Sequence, residues 1–439
     1  MRPVAADTQD NTASGGEARL PDMGWKSRFR RWFWHRAIRT VTLLHMVALT
    51  AAGWIGRRPH QPAPGQGHDI MVTGRFDSDN WILAHLGPLS ASEQCAHLWM
   101  VSTNPVPDMP KVTGIYPPRW LIKILGATPA RLLTFAWAAV RKRPHIVGGF
   151  HLLMNGMLAA VLGRLAGAES MYFSVGGPSE VLDGGIHGES KFFVKMETPD
   201  ALVEKRLIET VSACDKVITM GARAVVFLRE KGADTDFHVV SGGIDAKRFA
   251  SGKGDPAFDL IFIGRLAQIK RVDVLLRALK DVAERQPDVK VAIVGNGELG
   301  DELKQMARDL HVDDCVTFAG HQKDVESWLK NSRVFVLPSD SEGLSLSMME
   351  AMMCGLPAVV SNVGDLPDLV EDGVNGFLVP RRSPRKFADR ILELLADKSK
   401  LGAFSIAARH SAMRYRTDNT VALWDEILCG GRDKNDLNV

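Results

Sequence analysis

Two glutamates, Glu342 and Glu350, stand eight residues apart within residues 338–380 (PSDSEGLSLSMMEAMMCGLPAVVSNVGDLPDLVEDGVNGFLVP). The first lies in a polar, Gly-containing turn and the second inside the apolar helix that follows. Side chains around Glu342 and Gly343 can face a ligand docked at the helix start, where free backbone donors favour a phosphate or another anion. Glu350 sits among apolar residues, where an ionised acid buried alone is costly. Spacing leaves two readings for it: a hydrogen-bond acceptor for a ligand, or a residue on the solvent face of the helix. A second group, Arg265 and Lys270, follows another strand and supplies two cations able to neutralise a diphosphate. Surface salt bridges are the plainer use of the same residues.

Residues 333–337 (RVFVL) form a short apolar run bounded by Pro338, which reads as a buried strand. Leu346, Met349 and Met353 recur at helical spacing until Gly355 and Pro357 stop the helix, and residues 358–360 begin the next strand. Strand, loop, helix, strand is an α/β unit, and such sheets bind ligands at the carboxyl ends of their strands. The same alternation recurs upstream. Residues 69–73 read as a strand ending at Gly74, with Asp77 in the polar loop beyond it. Residues 145–150 form a strand followed directly by His151, and a helix is expected over 152–165. For His151 the spacing allows either a plain helix-start residue or a cleft residue. Residues 170–175 end in Gly176 and Gly177, where the backbone can approach a ligand closely. Residues 104–119 read as a proline-rich loop or an acceptor-side insertion, and 120–140 and 401–427 each as one helix. The composition changes at 241–258, a Gly- and Lys-containing crossing between domains. After it come a strand ending in Gly264 and Arg265, and another followed by GNGELG. Gly295, Gly297 and Gly300 there match GxGxxG. A dinucleotide site needs that motif after the first strand of a unit, with an acid ending the second. Here it follows the second strand of its domain, so a tight turn near a phosphate or base is expected instead.

A chain of 439 residues suits two or three domains, and 45% hydrophobic with 24% charged residues is ordinary for a globular protein. The net charge of +3 and the lack of interleaved basic and aromatic motifs argue against nucleic acid as a partner. Five scattered cysteines without a CxxC pair fit a reducing compartment and argue against a zinc cluster or disulfide framework. Residues 1–67 read as an extension, disordered over the first 24. Between residues 25 and 58 it carries eight Lys or Arg and no acid, including WKSRFRRWFWHRAIR. The apolar run 41–55 is shorter than the roughly 20 residues that span a bilayer. A basic, Trp-rich helix lying on an anionic membrane surface through residues 25–56 is the expectation.

GRL with a following Lys, then EGLSLSMMEAMMCGLPAV and VGDLPDLVEDGVNGFLV, together resemble the retaining glycosyltransferases of the GT-B fold, the large family with the E-x7-E motif (glycosyltransferase family 4, glycosyl transferases group 1). The resemblance runs from about residue 69 to 427 and implies two doubly wound Rossmann-like domains facing across a cleft. The implied boundaries are 68–245 for an acceptor-side domain and 246–400 for a donor domain, with 401–439 crossing back as a helix and a short tail. It further implies that Arg265 and Lys270 grip the donor diphosphate, that Glu342 lies near the transferred sugar and that Glu350 hydrogen-bonds the ribose. Gly264, Gly343, Leu344 and Ser345 are the implied loop contacts, with Gly295 and Gly297 nearby. His151 falls where the family carries an active-site histidine. The family's Gly-Gly pair after the first strand is replaced here by Gly74 and the distant Gly87, which leaves Gly176 and Gly177 to contribute on the acceptor side. Asp77-Ser78-Asp79 reads as a surface or acceptor-side segment, and neither a metal nor a cofactor is expected.

The expected function is transfer of a hexose, with retention, from a UDP- or GDP-sugar to a lipid-linked or exopolysaccharide acceptor. The expected location is the cytoplasm, at the inner face of the plasma membrane. A same-fold epimerase or phosphorylase would need a different acid and histidine set or a cofactor lysine. A non-catalytic protein that binds a nucleotide sugar or a partner is the alternative outside enzymology.

Overall fold

Short apolar runs ended by Gly, Pro or polar residues become buried parallel strands, and the amphipathic stretches between them become the crossovers. The computed structural model describes residues 25–430 except Arg57, Asp77, Glu189, Lys191 and Lys253. Its first element is helix α1 (Trp25–Ile55). An α/β domain follows: β1 (His68–Thr73), α2 (Asp79–Ala91), β2 (Cys95–Val101), β3 (Val112–Ile115), α3 (Arg119–Leu125), α4 (Ala127–Lys142), β4 (Ile146–Phe150), α5 (Met157–Ala166), β5 (Glu169–Ser174), α6 (Ala201–Ser212), β6 (Lys216–Thr219), α7 (Ala222–Glu230) and β7 (Asp236–Val239). Its strands lie in the order β3-β2-β1-β4-β5-β6-β7, all parallel.

The second domain comprises β8 (Phe258–Ile263), α8 (Val272–Arg285), β9 (Val291–Val294), α9 (Gly300–Asp309), β10 (Val316–Gly320), α10 (Val325–Lys330), β11 (Ser332–Leu337), α11 (Leu346–Met353), β12 (Ala358–Ser361), β13 (Gly376–Val379), α12 (Pro384–Ala396) and α13 (Lys398–Ala412). Its parallel sheet runs β10-β9-β8-β11-β12-β13. The last helix, α14 (Thr417–Leu428), returns to the first domain. Trp424, Ile427 and Leu428 share a core there with Ile70, Val72 and Phe173. Asp425 accepts hydrogen bonds from Ser92 Oγ at 2.6 Å and from the Glu93 amide at 2.9 Å.

Two doubly wound Rossmann-like lobes make this a GT-B fold. Strand order reverses between β1 and β4 in one sheet and between β8 and β11 in the other. Crossovers leave such a pair in opposite directions, so the loops at their carboxyl ends separate and open a crevice. All four of these loops carry residues singled out from the sequence: Gly74, His151, residues 264–270 and residues 338–345.

Several elements differ from expectation. The helix expected over 120–140 is broken at Gly126 (φ 84°) into α3 and α4. The loop 104–119 contains β3, an edge strand paired to β2. The helix expected over 401–427 is two helices, parted at residues 413–416. Helix α5 starts only at Met157, because His151 (φ 64°) and Met154 (φ 73°) hold the backbone in left-handed conformations. In the amino-terminal extension, α1 is a single helix, and over Arg28–Ile55 it is long and apolar enough to cross a membrane by length and composition. Its Ile38, Thr42, Leu49 and Ala52 are buried, and the helix packs on α5 and α6. The expectation for residues 1–24 lies outside the described residues.

Candidate active site

The carboxyl ends of the neighbouring strands β8 and β11 bring residues 72 apart in sequence into one charge pair. Lys270, ending the short 3-10 turn Gln268–Lys270, places Nζ 2.6 and 2.9 Å from the two carboxylate oxygens of Glu342. Ser339 Oγ donates to the same carboxylate at 2.5 Å. The Asp340 amide donates to Ile269 O at 2.8 Å, which ties the two loops together. The Lys270 and Glu342 side chains are 21% and 9% exposed. Partial burial weakens water screening and so strengthens the attraction within the pair. Around this pair, Arg271 and Arg382 grip Asp340 at 3.3 and 2.7 Å. Arg265 is exposed at the end of β8.

Helix α11 starts beside this pair. Ser345 is its N-cap, its Oγ accepting from the Met348 amide at 3.4 Å, and Ser347 Oγ donates to Ile263 O at 3.0 Å, seating the helix start against β8. Leu344 is buried under the turn. Glu350 is 6% exposed, so the solvent-face reading fails. Burial pushes its carboxyl up to about 8, with Arg248 opposing the shift. Arg248 itself spans the domains, reaching Glu326 at 3.2 Å and Asn80 at 3.3 Å.

On the opposite wall, His151 follows β4 and its Nδ1 lies 3.0 Å from Glu180 Oε1. Glu180, only 2% exposed, accepts three more hydrogen bonds: from the Leu152 amide at 2.5 Å, Tyr172 Oη at 2.9 Å and the Gly176 amide at 2.6 Å. Burial pushes the Glu180 carboxyl up, but His151 and the two amides outweigh it and hold its pKa below the usual range. Sequence reading passed over Glu180. Its only signal was an acid set in a glycine-rich loop after a strand, in a chain with a histidine ending the neighbouring strand.

The two walls touch. A Cβ on Gly343 would lie 2.5 Å from Val175 O, and one on Gly177 4.0 Å from Glu342 O. The loop 364–368 reaches across as well: Asp365 Oδ1 accepts from the Ala224 amide at 3.0 Å and Asp368 Oδ2 from the Ala222 amide at 2.6 Å, capping the amino end of α7. Burial and then the Asp368 charge push the Asp365 carboxyl up to about 7. Gly176, Gly177, Glu342, Gly343 and Lys270 thus come together, and Glu180 connects His151 to the same loop.

Other singled-out residues stand farther back. Gly295 (φ 137°) and Gly297 lie behind the loop 264–266, where a Cβ would fall 1.9 Å from Gly264 O and 2.2 Å from Leu266 O. Only glycine allows that approach. Gly74 packs against Phe150 and the Phe76 ring. Asp77 lies outside the described residues.

Residues 243–411 match the family model described as glycosyl transferases group 1. A D-inositol 3-phosphate glycosyltransferase of Streptomyces bingchenggensis is 32% identical over 50% of this chain and 53% of its own length. The chain spans about half the length of the curated relatives it matches first. Among solved structures, sucrose-phosphate synthase from Thermosynechococcus elongatus has a TM-score of 0.67 at 18% identity, covering 82% of this chain and 98% of the synthase. Anabaena HepE, in complex with UDP and glucose, has a TM-score of 0.64 at 16% identity, covering 83% and 99%. At those identities the likeness is one of fold.

Proposed function

We propose that this chain, which belongs to the glycosyl transferases group 1 family through residues 243–411, transfers a hexose from a UDP- or GDP-sugar to a lipid-linked or exopolysaccharide acceptor, with retention. The observation that carries the reading is the Lys270/Glu342 pair at the β8/β11 crevice, with Glu350 buried further along α11. A sugar leaving a nucleoside diphosphate breaks its C1–O bond, and the electron pair goes to the phosphate. Lys270, Arg265 and the positive end of α11 meet that charge and lower the barrier. Glu342 orients the sugar, and Glu350 takes the ribose hydroxyls. The acceptor hydroxyl attacks C1 on the face the diphosphate leaves and gives its proton to a phosphate oxygen. His151, steadied by Glu180, stands on the acceptor side with Gly74, Gly176 and Gly177.

Helix α1 carries Trp25, Phe29, Trp32 and Phe33 exposed beside several arginines, and this supports peripheral contact at the cytoplasmic face of a membrane. The test is a donor panel of UDP-, GDP- and ADP-sugars, crossed with lipid extracts and inositol phosphate, the last because several relatives are named for it. One donor should be consumed, and the anomeric configuration of the product read by NMR should match that of the donor. No donor binding above background with lipid extract present overturns the assignment.

A further inference from the structure

Between residues 109 and 168 the chain has eight Lys or Arg and no Asp or Glu, a second acid-free stretch besides the one around α1. It includes α3 and α4, whose outward surfaces are apolar where a surface helix of a globular protein is normally polar. On α4 the buried face is Ala130, Arg131, Thr134, Phe135, Ala138 and Ala139, whereas Leu133, Trp137 and Val140 point outward at 52%, 61% and 59% exposure. They recur at i, i+4 and i+7, a continuous stripe. On α3, Trp120 and Ile124 are 62% and 71% exposed, again one turn apart. Arg119, Lys123, Arg141, Lys142 and Arg143 border these residues and are exposed.

The stripe shares a side of the molecule with α1. Crossovers α4, α5 and α6 all connect strands in the same direction along the sheet, so right-handedness places them on one face. Helix α1 packs on α5 and α6, and α4 packs on α5 from the other side. The outward stripe of α1 is apolar too, with Phe29, Trp32, Leu43, Leu44, Val47 and Trp54 exposed. At its amino end a surface pocket of about 390 Å³ is lined by Arg28, Arg31, Trp32, His35, Arg36 and Arg39, of which Arg31 pairs with Glu197 and His35 and Arg39 pair with Asp200. Because β3 runs into α3 through residues 116–118, α3 stands at the carboxyl edge of the sheet, the edge that carries His151.

We infer that α3 and α4 form a second membrane-contacting surface, which docks with α1 on an anionic bilayer and holds the acceptor side of the cleft against it. The inference deepens the membrane part of the function proposed above. Charge complementarity selects the occupant: the apolar stripe of α3 and α4, bordered by Arg119, Lys123, Arg141, Lys142 and Arg143 in an acid-free stretch, fits the interface of an anionic bilayer, where Trp inserts and Lys and Arg meet phosphates.

The test uses the full chain with vesicles of phosphatidylcholine containing 30% phosphatidylglycerol, and with pure phosphatidylcholine vesicles. Trp120→Glu with Ile124→Glu, and separately Trp137→Glu with Val140→Glu, should each weaken sedimentation with the anionic vesicles about tenfold or more. These side chains are exposed, so the variants should melt with the wild type. Binding within twofold of wild type by both variants overturns the inference, as does a wild type that ignores anionic vesicles. Gel filtration showing a dimer that the variants dissociate, with lipid binding unchanged, would assign the stripe to a second copy. Donor hydrolysis in lipid-free buffer is read in parallel. Loss of vesicle binding with hydrolysis intact supports the surface, and absence of hydrolysis in the wild type counts against the transferase reading alone.

Discussion

Replacing Glu350 by Gln should make the free protein more stable and its nucleotide binding weaker. Burial raises the Glu350 carboxyl from 4.5 to about 8, and each unit of difference between folded and unfolded chains corresponds to about 1.4 kcal/mol. The sign follows from the raised value. Below pH 4.5 both states hold the proton and there is no penalty; as pH rises the unfolded chain ionises first, and the folded chain loses stability until about pH 8. The penalty is then about 5 kcal/mol at pH 8 and above, and about 3 kcal/mol at pH 7. At 6% exposure little solvent screening reduces it. Gln resembles the protonated acid and removes the penalty, so Glu350→Gln should raise Tm by on the order of 10 °C at pH 8.5. The gain should shrink to about 2 °C at pH 5, where the penalty is only about 1 kcal/mol. Scanning calorimetry at pH 5, 7 and 8.5 reads this directly. Nucleotide titration at pH 8.5, where Glu350 is mostly ionised, should show about tenfold weaker binding, from one lost charge-assisted hydrogen bond. Parallel stability curves for the two proteins across this pH range would refute the reasoning, because they would mean that Glu350 is solvated or paired in the folded state.

Lys270→Ala should lower kcat by about 10²–10³-fold through loss of leaving-group stabilisation. It should also cost about 1–3 kcal/mol in urea unfolding by stranding the Glu342 carboxylate. Glu180→Gln should flatten acid unfolding: the lowered Glu180 pKa contributes stability above about pH 4.5 that is lost as pH falls, and the amide has none to lose. Its transfer rate should fall about tenfold or more as His151 loses its partner, whereas Glu180→Asp should recover part of that rate. Gly364→Ala should cost at least about 1–3 kcal/mol, since φ is 52° and a Cβ would fall 1.8 Å from Glu342 O. Activity should drop with stability there, because the clash displaces the Glu342 loop; a fully active Gly364→Ala enzyme would contradict that placement.

Much of the molecule was legible in the residues alone. Alternating apolar runs and turn residues specify two parallel sheets, because a strand buried on both faces has to be apolar throughout and to end where the backbone turns. Strand ends in such sheets gather ligands, so Arg265, Lys270, Glu342 and Glu350 were identifiable as candidates from their place after β8 and β11. Helix breaks were less legible. Gly126 and the left-handed His151 depend on the packing of neighbouring layers, which no local pattern records.

Tertiary structure decided what those candidates meet. Helical periodicity could not tell whether Glu350 faced water, since α11 is enclosed on all sides and offers no polar stripe to compare. Glu180 and Asp365 escaped notice because their partners lie in other strands or in the other domain, at separations that arise only when the sheets form and the lobes meet. GxGxxG carried a phosphate-loop pattern, and the fold uses two of its glycines, Gly295 and Gly297, to pack one loop behind another. The residue types and the strand-end positions were determined by the sequence itself. Which carboxylates are buried, paired or poised was decided by the fold, because desolvation and pairing are properties of the assembled surroundings and not of any one segment.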